Sequence, residues 1–129
     1  QVNLEEQYFK SGSKSDSGKN RIVPIHPRIM PFVKKRLEKS NEYFLENDEG
    51  SKFKKWDFYE EWKVVIAYIT KKKKTPHEAR HTFETFLDNA GGNRKCIDML
   101  MGHKSKDIGN RVYNHKTVKQ LRETILLLK

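Results

Sequence analysis

Two kinds of periodicity succeed one another along the chain. Residues 4–9 (LEEQYF) and 20–25 (NRIVPI) are short and rich in β-branched or aromatic side chains. Between them runs KSGSKSDSGK, all turn formers and lysines. This pattern predicts a β-hairpin with a long basic tip. Pro24 lacks the N–H that a ladder needs, so the second strand must lie at an edge or end early. From Pro27 to about Asn47 the interval changes: Ile29, Met30, Phe32, Val33, Leu37, Tyr43, Phe44 and Leu45 recur at helical spacing. Glu46 to Lys52 is polar and predicts a loop. A second amphipathic helix, rich in aromatics, is expected over 53–69 from Trp56, Phe58, Tyr59, Trp62, Val65 and Ile66. The run Lys71 to Lys74 follows; such a run is a solvated loop unless nucleic acid lies beside it, where it would contact phosphates.

The second half is punctuated more sharply. In Thr75-Pro76-His77-Glu78 a hydroxyl stands at the N-cap, proline at the first helical position and Glu at the third. Gly91-Gly92 ends that helix, because glycine takes the left-handed C-terminal conformation at little cost. Asn93 caps the next helix, with Ile97, Leu100 and Met101 on its apolar face. A short helix is expected over Ile108 to Asn114. Thr117 with Gln120 makes another capping box, opening a last helix to Lys129 with Leu121, Ile125 and Leu128 on one side. The expected fold is mainly α with an N-terminal β-hairpin (α+β). The hairpin occupies residues 1–25, a helical core 26–116 and a C-terminal helix 117–129.

Composition adds a partner. The 129 residues suit one domain or most of one, with 35% hydrophobic and 34% charged residues. Twenty-seven Lys and Arg against 17 Asp and Glu give a net charge of +10 and a pI near 9.7, a footprint suited to polyanions, nucleic acid first among them. Cys96 is the only cysteine, so no internal disulfide can form, and a reducing, cytoplasmic setting is expected. No secretory pattern opens the sequence, and the longest apolar stretches, Val64 to Ile69 and Ile125 to Leu128, are too short to span a bilayer.

The helix opening at Thr75 carries the chemistry. On a helical wheel His77, Arg80, His81 and Glu84 share one side, and Phe83, Phe86, Leu87 and Ala90 another, expected to be core. HEARH satisfies H-E-x-x-H, in which two histidines bind zinc and Glu activates water. The context argues against a zinc hydrolase: Glu78 is already explained by the capping box, Arg80 puts a fixed charge beside a would-be ligand, and no third ligand extends the motif. The alternative takes His77 and Arg80, neighbours on successive turns, as a pair that grips a phosphate.

In order, the chain reads GSKSDSGKNRIVPIHP, TPHEARHTF, LMGHKS and RVYNHKT. This succession resembles the tyrosine recombinase (phage integrase) family: its basic β-hairpin, its H-x-x-R box, its L-x-G-H box and the segment bearing its nucleophilic tyrosine. Tyr113 stands ten residues after His103. The resemblance implies the helical fold of that family's catalytic domain and a fragment lacking the first part of it, with the N-terminal DNA-clamping domain absent. It implies site-specific recombination or integration through a 3′-phosphotyrosine, with double-stranded DNA as partner and no metal, cofactor or small-molecule substrate. Its residues carry over as Tyr113 nucleophile, His77 and Arg80 phosphate-gripping pair, His103 third donor and Lys14 hairpin lysine, although Lys10 and Lys19 share that loop. A second family arginine, upstream of the hairpin, has no matching motif here, so the fragment alone is expected to be inactive or severely impaired. Self-association on DNA as a synaptic tetramer is a further implication, with the last helix docking either on its own domain or on a neighbour. A non-catalytic DNA-binding module on the same fold is the competing function.

Overall fold

The sheet starts earlier, and turns sooner, than the apolar pattern predicts. In the computed structural model, which describes residues 1–12, 20–40, 42–103 and 115–129, strand β1 is Val2–Asn3, β2 is Tyr8–Ser11 and β3 is Arg21–Pro24. They form one antiparallel sheet in the order β1-β2-β3. The expectation that Leu4 to Gln7 belong to a strand is corrected. The Asn3 side chain accepts the Glu6 N–H at 2.8 Å, and Gln7 has φ 53°, so this stretch is a turn. Pro24 behaves as expected. It ends β3, an edge strand, opposite Tyr8. Alternation along β3 buries Ile22 and Pro24.

The helices are α1 (Met30–Lys39), α2 (Lys55–Ile69), α3 (Pro76–Asn89), α4 (Arg94–Met101) and α5 (His115–Ile125). The described residues fall into two compact units, Gln1–Pro27 with Thr82–Lys129, and Arg28–His81, with the division inside α3. In the first unit the core is Leu87, Cys96, Ile97, Leu100, Met101, Leu121 and Ile125, with Val23, Phe83, Met99 and Leu128 packed against it. Three helices and the edge strand therefore supply one side each. Thr124, buried among them, satisfies its hydroxyl on the Gln120 carbonyl at 2.9 Å. Phe86 and Ala90, expected in the core, are exposed.

In the second unit, α1 stops at Lys39 rather than near Asn47. The Arg36 guanidinium donates to the carbonyls of Phe44 and Glu46, each at 2.9 Å. One Glu46 carboxylate oxygen accepts the N–H groups of Glu42 and Tyr43. These bonds hold 42–46 as an ordered loop despite its apolar residues. A single bridge, Glu46↔Lys52, closes the polar loop that follows. Helix α2 buries no residue, contrary to the expected amphipathic helix. Among the described residues of this unit, Val33 is the one buried hydrophobic side chain, whereas Phe32, Trp56, Tyr68 and Ile69 are exposed.

The caps around α3 and α4 form as expected. Thr75 N–H donates to the Glu78 carboxylate at 2.8 Å while Glu78 N–H reaches the Thr75 hydroxyl at 3.3 Å. Gly91 has φ +76°, and a Cβ on Gly92 would stand 2.8 Å from the Leu87 carbonyl oxygen. Asn93 accepts the Cys96 N–H at 3.2 Å. At the other end of the chain, α5 begins at His115, so Thr117 lies inside it and does not cap it; the helix ends at Ile125. The helix expected over Ile108 to Asn114 and the tip of the hairpin lie outside the described residues.

Candidate active site

Helix α3 presents the first half of the candidate set. Pro76 fixes its first turn and the capping box its direction, so His77 and Arg80 follow on adjacent turns of one face. His77 is exposed and Arg80 half-buried. The His81 ring packs edge-on against His77, with centroids 4.5 Å apart. The helix N-terminus adds the positive end of its dipole to this face. A guanidinium fork, an imidazole and that dipole together favour a bound phosphate.

The H-E-x-x-H alternative loses its base here. Lys74 Nζ lies 2.8 Å from Glu78, whose other oxygen accepts from the Thr75 N–H and hydroxyl. The Lys74 ammonium foremost, then the Thr75 N–H, lowers the Glu78 carboxyl from its ordinary 4.5 to about 2. A carboxylate so weakly basic, and already fully engaged, is poorly matched to taking a proton from water.

His103 sits at the close of α4. Gly102 takes the left-handed conformation (φ +69°), and the His103 N–H then reaches back to the Asp98 carbonyl at 2.9 Å. The His103 Nδ1 lies 3.4 Å from the Asp98 carboxylate. That contact orients the ring; in the doubly protonated imidazolium Nδ1–H points to Asp98 and Nε2–H is left to donate to another group. Asp98 is itself held by Arg94 Nη2 at 3.0 Å, and the same nitrogen is 2.6 Å from Glu84. Arg21 supports the turn from the sheet, donating to the Met101 carbonyl at 3.0 Å.

Glu84, Asp98 and His103 bring one ligand atom each within 4.8 Å of one another, the one such group among the described residues. The Arg94 guanidinium already bridges both carboxylates, so the charge a cation would supply is present as an arginine. Sequence reading left Arg94, Asp98 and Arg21 without a role. A carboxylate five residues before His103 in a short helix is a recoverable signal for Asp98. No local pattern announces Arg21, which is 80 residues from its acceptor.

The structure thus gives two partial sets: His77 with Arg80 on α3, and His103 in its Asp98–Arg94–Glu84 support. Lys14 and Tyr113 lie outside the described residues. His26 bonds the Leu128 carbonyl at 3.0 Å and ties the segment after α5 to the sheet side of its unit.

Comparison with known proteins adds the family. The match is to the family described as the phage integrase family, over residues 1–120. Among curated proteins, the chain is 30% identical over 131 residues to the tyrosine recombinase XerA of Pyrococcus horikoshii, covering 96% of this chain and 45% of that protein. It is 28% identical to the XerA of Pyrococcus furiosus, over 96% of this chain and 44% of that protein. With the tyrosine recombinase XerD of Vibrio cholerae it shares 26% identity, over 82% of this chain and 38% of that protein. The chain spans less than half the length of each of these relatives. No solved structure matches.

Proposed function

This chain belongs to the phage integrase family, and we propose on that premise that it is the C-terminal part of the catalytic domain of a tyrosine-type site-specific recombinase, cutting and rejoining double-stranded DNA inside the cell. The observation that carries the reading is the placement of His77 and Arg80 on adjacent turns at the positive end of α3. In the proposed reaction the Tyr113 oxygen attacks the scissile phosphorus. Tyrosine is a weak nucleophile at neutral pH (reference pKa about 10), so its proton must be taken up as the bond forms. Charge builds on the non-bridging oxygens, where Arg80, His77 and His103 donate hydrogen bonds; losing one such donor typically costs ~10²–10³ in rate. Lys14 protonates the departing 5′ oxygen. The 3′-phosphotyrosine conserves the ester, and a different 5′ hydroxyl reverses the step on a new strand. Association of several copies on DNA follows from joining two duplexes.

The test uses the full-length parent with a nicked suicide substrate. Tyr113→Phe should abolish the covalent protein–DNA adduct and leave DNA binding intact, and an adduct that persists sinks the assignment. The 129 residues alone should be inactive or severely impaired, since no second arginine motif of the family stands in them. A detectable adduct from them overturns that part.

A further inference from the structure

Resting on the DNA-binding reading above, we infer that the loop Lys71–Lys74, pinned onto Trp62, is a contact site for the sugar–phosphate backbone of duplex DNA, separate from the residues assigned to cleavage. A lysine run is ordinarily a solvated loop, so the case depends on how this one is built. Its start is held by the Thr70 hydroxyl, which accepts the Lys72 N–H at 3.1 Å. Its end is held by the Trp62 indole, which donates to the Lys74 carbonyl at 2.6 Å. The Lys74 ammonium is spent on Glu78 at 2.8 Å. Lys71, Lys72 and Lys73 remain, all exposed, and no acidic group among the described residues pairs with them.

These lysines line one cleft and immediately precede the positive end of α3, where cations are disfavoured. Like charges gathered there without a counter-ion oppose the fold, and an anion laid across them relieves the repulsion. Beside the loop is an open cleft of about 440 Å³, floored by Trp62, Ile66 and Ala67 and rimmed by Thr70 and the lysines. An apolar floor under a cationic rim suits deoxyribose and phosphate together. Because Trp62 and Thr70 fix the backbone beforehand, less ordering entropy is lost on binding than a free lysine tail would lose.

The experiment measures affinity of the full-length parent for a duplex by fluorescence anisotropy across a salt series. Each lysine contacting a phosphate contributes about one unit to the log–log salt slope. The triple variant Lys71→Gln/Lys72→Gln/Lys73→Gln should bind about 10-fold or more weakly near 0.1 M salt, with a slope shallower by about 2–3. A triple removing equal charge from α1, Lys34→Gln/Lys35→Gln/Lys39→Gln, should change the slope much less. Trp62→Phe, which keeps every charge and removes the indole donor, should weaken binding several-fold with circular dichroism unchanged. Equal effects of the two triples, or wild-type affinity in the loop triple, overturns the inference while leaving the proposed function standing. If the unaltered full-length parent fails to bind duplex even near 50 mM salt, the proposed function itself falls.

Discussion

Gly102 has a left-handed backbone that disfavours a side chain, and one there would also make the end of Arg21 move. Its φ is +69°, and a Cβ there would stand 2.7 Å from Arg21 Nη1. Gly102→Ala should therefore cost about 1–2 kcal/mol for the left-handed backbone alone. Displacing Arg21 from the Met101 carbonyl adds to this. Urea unfolding measures it, and an unchanged midpoint would contradict the strained turn. Glu78 gives a prediction in pH. Its carboxyl is lowered from 4.5 to about 2 by Lys74 and Thr75, so between those values the unfolded chain binds the proton and the folded chain does not. The stabilisation from the cap is complete above about 4.5 and lost as pH falls through about 2. A carboxyl-carbon NMR titration should place Glu78 far below the ordinary 4.5 and move it upward in Lys74→Gln. A wild-type midpoint at the ordinary value rejects the pairing. At this scale the sequence was informative where the partner is near: the reciprocal bonds of Thr75 and Glu78 span three positions.

Helix α3 shows where element-level reading succeeds and where it stops. Its start, its glycine stop and the Asn93 cap of the next helix were legible, because each cap uses groups within a turn of the boundary. Its apolar stripe was legible only in part, since periodicity marks a face and not what covers it. Leu87 is fully buried while Phe86, next to it, is 60% exposed. Leu87→Ala should cost about 2–5 kcal/mol, whereas Phe86→Ala should stay within about 0.5 kcal/mol. Thermal or denaturant melts of the two variants check this, and similar losses would mean the core is misplaced. Helix α1 makes the opposite point. The spacing of Tyr43, Phe44 and Leu45 continues its helical pattern, yet Arg36 and Glu46 capture the backbone of that stretch and stop the helix at Lys39.

At the scale of the whole molecule, the last helix closes the core of its own unit. Leu121 is fully buried and Ile125 is 4% exposed. Arg122 donates to the Glu6 carbonyl, tying α5 to the turn after β1. Leu126 and Leu127 remain partly exposed, so packing in cis leaves apolar surface beyond the core. Removing residues 117–129 should lower the melting temperature and reduce helical ellipticity by more than the deleted segment carries. A truncated chain that melts like the parent would show that this helix does not stabilise its unit. The sequence by itself determined the succession from hairpin to helices, the caps at Thr75 and Asn93 with the glycine stop between them, the basic charge and the motifs that contain His77, Arg80 and His103, because each is written in neighbouring residues. Only tertiary structure decided that Glu84 on α3 joins Arg94 beneath Asp98, that Arg21 props the Gly102 turn, and which side chains of each stripe are buried. Those outcomes depend on groups brought together from distant positions, and no local spacing encodes such distances.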